Sequence, residues 1–276
     1  MESGNYDNLN EIATRLRRHI LEMTARAGSG HYMSSFSCVE ILAALYFQEM
    51  QVRPDDPAWP GRDRFVLGKG HAAPALYAVL AERGYFPVPE LMTLRQVGSR
   101  LQGHPVKSYG LPGLDASSGS LGQGISTAVG IALAAQLDGA DWRVFVLLGD
   151  GECQEGQVWE AAMAAAHFKC DNLVVIVDYN ALQSTGTLDE IMSLGDLRAK
   201  WEAFGWSVTE ARGHDFGSLQ DALAGARARK GMPHLILAHT MKGHGVPFIE
   251  GNLEYHSKPL SADELAGALH ALEVRH

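Results

Sequence analysis

The sequence predicts an α/β protein, a parallel sheet flanked by helices, and three observations carry that reading. Four short apolar runs, Arg64–Leu67, Val144–Leu148, Leu173–Asp178 and His234–Ala238, are separated by helix-like stretches over 72–83, 122–138 and 156–168. The runs at 144–148 and 173–177 are almost wholly Val, Ile, Leu and Phe. Strands that apolar are covered on both faces, as in a parallel sheet between helices, whereas a half-solvated strand alternates. The first three runs also end in small or polar residues: Gly68-Lys69-Gly70-His71, Gly149-Asp150-Gly151 and Asp178-Tyr179-Asn180. The carboxyl ends of parallel strands are where ligands bind in such sheets.

The elements follow in order. Residues 8–27 place Ile12, Leu16, Ile20 and Met23 at helical spacing, and Gly28 ends the pattern. Ser37-Cys38-Val39-Glu40 fits a capping box, so a second helix is predicted from Ser37 through Ile41, Leu42 and Leu45 to about Met50. These two helices read as an N-terminal extension of a single domain spanning 1–276. No repeat or linker-like stretch interrupts the chain, and 276 residues with 46% hydrophobic content suffice for one large core. Lys and Arg total 23 against 32 Asp and Glu, a formal charge of −9. That balance opposes binding to a phosphate backbone, so no nucleic-acid partner is expected. No run approaches the roughly 20 apolar residues of a membrane span. Met1–Asn10 lacks a basic-then-apolar leader pattern. Cys38, Cys153 and Cys170 show no CxxC spacing, which points to a reduced, cytoplasmic protein with neither a disulfide framework nor a cysteine zinc site.

The chemistry gathers at two strand ends. Asp150 follows one strand within Gly149-Asp150-Gly151-Glu152, and Asn180 follows the next, thirty positions on. One strand–helix–strand unit takes about that many residues, so the two loops lie side by side at one sheet edge. Asp150 offers a carboxylate oxygen and Asn180 an amide oxygen to a hard cation. The glycines at 149 and 151 let backbone approach a phosphate closely. Mg2+ suits the pair, since it takes one or two protein carboxylates and completes its shell with phosphate oxygens. Gly119–Gly124 offers a rival dinucleotide fingerprint, but no clear apolar strand precedes it.

The Gly149-Asp150-Gly151 to Asn180-Ala181-Leu182 spacing resembles the thiamine diphosphate motif, and the surrounding sequence resembles transketolase over nearly the whole chain. The matching pieces are Ser29-Gly30-His31, Asp63–Leu67, Gly68-Lys69-Gly70-His71 and Gln102-Gly103-His104-Pro105. Ser118–Gly124, Glu155-Gly156 and Thr240-Met241-Lys242-Gly243 continue them in the family's order. The resemblance implies the thiamine diphosphate-binding fold and two-carbon ketol transfer from a ketose to an aldose. It implies that Asp150, Asn180 and the Leu182 carbonyl hold Mg2+, with Ca2+ or Mn2+ as substitutes, and that the Gly151 backbone contacts the diphosphate. His71 and His256 match histidines beside the diphosphate and reacting centre. His31 and His104 match histidines lining the substrate channel, where imidazole can give and take a proton near neutrality. Gly119 and Leu121 match positions bordering the aminopyrimidine. Glu155 and Glu160 match acidic residues of a carboxylate network at the subunit interface. His19, His167, His234 and His276 read as structural.

A full chain of the family is about twice this length, and this sequence resembles its N-terminal half. The pyrimidine-binding domain, with the glutamate that activates the cofactor, is therefore expected on a partner chain. The implied assembly is a heterotetramer of two copies of each chain, working on sugars or sugar phosphates. Departures from the pattern are Tyr32-Met33-Ser34-Ser35 after His31, expected to reshape the donor wall, and Gln183-Ser184-Thr185-Gly186 after Leu182, expected to remove an apolar contact and an acidic side chain. The alternatives are a 2-oxo-acid dehydrogenase or deoxyxylulose-phosphate-synthase-like subunit, a nucleotide-binding oxidoreductase, or a non-catalytic interaction subunit.

Overall fold

The structure is a computed structural model describing residues 4–274, with side chains from Asn8 onward; His276 lies outside the described residues. Five parallel strands form one sheet: β1 (Arg64–Leu67), β2 (Val144–Gly149), β3 (Leu173–Tyr179), β4 (Ser207–Arg212) and β5 (His234–His239). Their order is β1-β2-β3-β5-β4, so the chain leaves β3 for the far edge and returns to insert β5. The four predicted runs are strands β1, β2, β3 and β5. The unpredicted strand β4, Ser-Val-Thr-Glu-Ala-Arg, carries no apolar run because it lies at the sheet edge and buries only Ala211.

The central strands are apolar on both faces because both faces are covered. Phe65, Leu67, Phe145, Leu147, Val174, Ile176 and Ile236 face one hydrophobic cluster. Their neighbours Val66, Val144, Val146, Val175, Val177 and Leu235 face the other, as the period of two in a strand requires. The first cluster is closed by α1 (Gly4–Ala27), α2 (Tyr32–Phe36), α3 (Val39–Ala44), α4 (Ala73–Arg83), α9 (Phe216–Ala228) and α10 (Ala262–Val274). The second is closed by α5 (Gln123–Asp138), α6 (Gly156–His167) and α8 (Leu197–Ala203), with the short α7 (Leu188–Met192) before it. The helices read as an N-terminal extension are part of this core. Leu9, Leu16, Ile20, Met23, Ile41 and Leu42 are all buried in the same cluster as the strands.

The helix predicted from Ser37 to about Met50 is present as α3 continued by a π-helical turn over Leu45–Glu49, and only its cap is corrected, since the helix begins at Val39. The Ser37 side chain does not cap α3: its hydroxyl contacts Asp178 Oδ2 at 2.5 Å and the Ser34 carbonyl at 3.1 Å. Glu40 does not reach back to close a capping box, because it is buried and paired with Arg17 at 2.7 Å. Tertiary charge pairing outcompetes the local cap, since a buried carboxylate without a partner is far costlier than a lost cap.

Beneath the carboxyl edge of the sheet lies a second fully buried ion pair, Lys69 with Asp178. Lys69 also donates to the Ser34 carbonyl at 2.9 Å, and Thr240 donates to Asp178 Oδ1. Lys69→Met leaves Asp178 charged and unpaired, and is expected to cost about 3–5 kcal/mol in urea unfolding. Lys69→Met with Asp178→Asn should recover at least half of that loss. A double variant no more stable than the single would show that packing, not charge pairing, holds this region.

Candidate active site

Parallel pairing sets Gly149 opposite Asp178, so Asp150 and Asn180 emerge from neighbouring strands at the same edge. The Asp150 carboxylate bridges the two loops. Its Oδ1 accepts the Gly151 N–H at 2.7 Å, and its Oδ2 accepts those of Asn180 at 2.9 Å and Ala181 at 2.6 Å. Ala181 has a left-handed backbone (φ 58°), which turns the chain back toward the site. Asn180 Oδ1 accepts the Leu182 N–H at 3.2 Å. The carbonyls of Leu182 and Gln183 both accept from the Lys242 ammonium at 3.0 Å.

A cavity of about 460 Å³ opens over these loops. His31, His71, His104, His256, Gly119, Leu121, Gly149, Asp150, Gly151, Glu155, Asn180 and Leu182 all line it. Glu160 does not; it stands exposed on α6. The strand-end glycines serve close approach. A Cβ on Gly70 would lie 2.7 Å from the Gly119 nitrogen, and one on Gly119 would lie 3.1 Å from the His104 ring. His31 is the hub of the imidazoles, with ring centroids 5.3 Å from His71 and 5.4 Å from His256, each edge-on.

Burial dominates the electrostatics. It lowers His71 to about 2 and His256 to about 4, helped by Lys69 for the first and Lys242 for the second. Burial, then Arg95, lowers His31 and His104 as well. The four imidazoles are therefore neutral at neutral pH, each keeping one nitrogen able to accept a proton. Burial and the nearby Asp178 charge raise Asp150 to about 6. Burial and Lys69 lower Lys242 to about 8. The cavity thus holds ionisable groups under desolvation stress, a pattern typical of binding and catalytic sites.

The expected effect of Tyr32 and Met33 is overturned. Both are buried and neither lines the cavity; α2 turns them into the core and presents Ser34 instead. The Tyr32 hydroxyl donates to the Lys258 carbonyl at 2.8 Å. Gln183 does reach the wall, with a buried, unpartnered Nε2 and its carboxamide against Gly151. His19 pairs with Glu82 at 3.1 Å, and His234 is buried away from the cavity. Lys69, Glu152 and Lys242 line the cavity without having been assigned to it from sequence, and Arg95 is the unassigned cation beside His31 and His104. Lys69 and Glu152 sit beside flagged motif residues, but a loop Lys or Glu reads as solvated until its burial is seen. Glu152 is 3% exposed and accepts the N–H groups of Gly122 at 2.9 Å and Gly149 at 3.1 Å.

Residues 9–274 match the family model for the transketolase thiamine diphosphate-binding domain. The chain is 44% identical over 266 residues to a 6-deoxy-6-sulfo-D-fructose transketolase subunit of Clostridium sp. (strain MSTE9), covering 96% of both chains. It is 41% identical to an apulose-4-phosphate transketolase subunit from Phocaeicola vulgatus, covering 94% of this chain and 92% of the relative. Among solved structures it resembles transketolase from Leishmania mexicana, with a TM-score of 0.90 and 32% identity. That match covers 96% of this chain and 41% of the other, so the chain spans about two fifths of the Leishmania enzyme's length. The matched family model, the subunit-length relatives and the shared fold agree: the chain belongs to the transketolase family, within its thiamine diphosphate-binding part.

Proposed function

We propose that this chain is the N-terminal subunit of a two-subunit transketolase, transferring a two-carbon ketol unit from a ketose or ketose phosphate to an aldose with thiamine diphosphate and Mg2+. The observation that carries the reading is the convergence of Asp150, Asn180 and the Leu182 carbonyl on a glycine-bounded cavity that also gathers four neutral histidines. The subunit-length relatives support the division of labour, since their names call them transketolase subunits and they match this chain over nearly its full length. In this reading the partner carries the pyrimidine-binding domain, two copies of each chain form a heterotetramer, and the enzyme works in the cytoplasm. Among the described residues no helix is long and apolar enough to cross a membrane.

The residues present fit the cofactor. Three hard oxygen donors come from two adjacent loops, the chemistry Mg2+ selects. The Lys242 ammonium already sits on the Leu182 carbonyl, which marks that spot as a seat for positive charge. Buried polar atoms of the cavity residues His31 (Nδ1), His256 (Nδ1) and Gln183 (Nε2) have no protein partner, as expected of groups awaiting a polar ligand. When bound, thiamine diphosphate supplies the carbon nucleophile that breaks and remakes the sugar carbon–carbon bond. Asp150, Asn180 and Leu182 hold the metal, and the backbone at Gly149 and Gly151 receives the diphosphate. Gly119 and Leu121 border the aminopyrimidine. His71 and His256 flank the reacting centre, while His31 and the more exposed His104 hydrogen-bond sugar hydroxyls and move protons. Glu155 at the rim and Glu160 on the exposed face of α6 meet the partner chain. The oxidoreductase alternative lacks support: Gly119–Gly124 follows a loop, and Gly122 (φ 81°) is the N-cap of α5. The other thiamine diphosphate enzymes and the non-catalytic role stay as outcomes of the test.

Pull-down from native lysate followed by a ketol-transfer assay with thiamine diphosphate and Mg2+ tests the reading. The expected result is a partner chain of similar length and transfer only in the complex; failure to bind cofactor with any candidate partner would make the interaction-subunit reading the better one. Asp150→Asn keeps the shape and should leave the melting temperature within a few degrees. It should weaken thiamine diphosphate retention in the complex at least ~100-fold, as loss of a ligating charge does. Chelation should mimic it in the wild type, with Mg2+, Ca2+ or Mn2+ restoring binding; unchanged affinity in the variant sinks the metal assignment. His104→Ala should instead lower kcat/KM for sugars by about 10²–10⁴-fold, in the range of lost acid–base and orienting contacts, with cofactor affinity held within twofold. A selective loss of cofactor would contradict its role on the substrate side.

A further inference from the structure

Away from the cavity, Glu40, His214 and His244 bring three ligand-type atoms within 4.8 Å of one another. They do not form a cation site, because their capacity is already used. Arg17 holds both Glu40 oxygens, at 2.7 and 2.9 Å. His214 Nδ1 lies 2.9 Å from Glu40 Oε2, and His214 Nε2 accepts the Met241 N–H at 2.8 Å. An accepting Nε2 puts the proton of a neutral imidazole on Nδ1, so the ring donates to Glu40 and both nitrogens are engaged. The ring is further held by stacking on His244, with centroids 3.7 Å apart and planes 23° apart.

This arrangement is a carboxylate–imidazole–backbone chain that ends one residue before Lys242. The same loop is tied at the next two residues. Gly243 donates to the Met33 carbonyl at 3.1 Å, and the His244 carbonyl accepts from Arg17 Nε at 2.8 Å. From this tied loop the Lys242 side chain reaches across the cavity floor onto the carbonyls of Leu182 and Gln183. We propose that Glu40 and His214 form a positioning relay, which fixes the Met241 backbone and through it seats the Lys242 ammonium beside the cation- and diphosphate-binding loops. His214 is a positioning residue and touches neither cofactor nor substrate. The role of the cavity rests on the transketolase reading, but the relay itself stands on the hydrogen bonds of this chain alone.

Two substitutions separate the halves of the relay. The Asn carboxamide in His214→Asn can replace Nδ1 and keep the Glu40 contact, but it is too short to reach the Met241 N–H. The longer Gln carboxamide in His214→Gln can accept that N–H while giving up Glu40. Amide hydrogen exchange on the full chain without cofactor reads the backbone directly. Exchange at Met241 to Gly243 is expected to be at least tenfold faster in His214→Asn and within about threefold of wild type in His214→Gln, with the sheet amides unchanged in both. In the complex with the partner chain, half-saturation by thiamine diphosphate should rise several-fold in His214→Asn while kcat falls less, and His214→Gln should recover most of the affinity. Identical exchange in all three proteins overturns the proposal. So does loss of protection across the sheet in both variants, which would mean a general packing role. Stoichiometric Zn2+ binding that depends on Glu40 and His214 overturns it too, since those atoms cannot serve both purposes. If the exchange result holds but even the wild-type complex binds no thiamine diphosphate, the relay stands and the transketolase reading fails.

Discussion

The pocket of this protein depends on one buried ion pair. Lys69 leaves β1 and Asp178 ends β3, two strands away, and neither is accessible to solvent. Charges so deeply buried persist only if fully paired and hydrogen-bonded, and the partners that satisfy them come from all around the sheet edge. Ser34 reaches in from α2, Ser37 from the segment joining α2 to α3, and Thr240 from just beyond β5. The pair therefore ties the ends of three strands and an N-terminal turn into a single knot under the cavity floor. Burial opposes ionisation of Asp178, but Lys69 beside it wins and holds the carboxyl below its usual range.

The same knot sets the electrostatic character of the cavity above it. Lys69 adds to the burial that keeps His71 neutral, and its charge weighs on Lys242 in the same way. Asp178 adds to the burial that makes the Asp150 carboxylate costly. The folded chain thus holds two reluctant anions, Asp150 and Glu152, and one reluctant cation, Lys242, on the walls of a single cavity. A divalent cation with a diphosphate would relieve Asp150 and Lys242, because each would then face a partner of opposite charge in a low-dielectric site. Such desolvation stress is tolerated because the sheet and its two apolar layers supply the stability.

Crowding keeps the cavity histidines neutral: His31 stands edge-on to two other imidazoles, so protonating any one would place a cation against Lys69, Lys242 or Arg95. Glycine at 70 permits the close approach, since a Cβ there would collide with the Gly119 backbone, and Gly119 adopts a backbone conformation (φ 145°) that a side chain would strain.

Much of this was legible in the residues alone. The uninterrupted apolar runs of β2 and β3 demand cover on both faces, and the thirty-residue interval from Asp150 to Asn180 matches one strand–helix–strand unit, so the sheet and the adjacency of the two loops followed from local pattern. The histidine loops were marked by their glycines. What tertiary structure alone decided are matters of long-range charge and direction. Ser37 and Glu40 form a good capping signature, yet they serve Asp178 and Arg17, because pairing a buried charge outweighs closing a helix end. Tyr32 and Met33 follow a pocket histidine in sequence but point into the core, since a helical turn sends successive side chains in different directions. Lys69, Glu152 and Lys242 stood in or beside the motifs without a role, and only their burial among distant backbone groups made them part of the site. Local sequence carries periodicity and spacing; which charges lose water is set by residues roughly thirty to two hundred positions away, and that is written only in the folded chain.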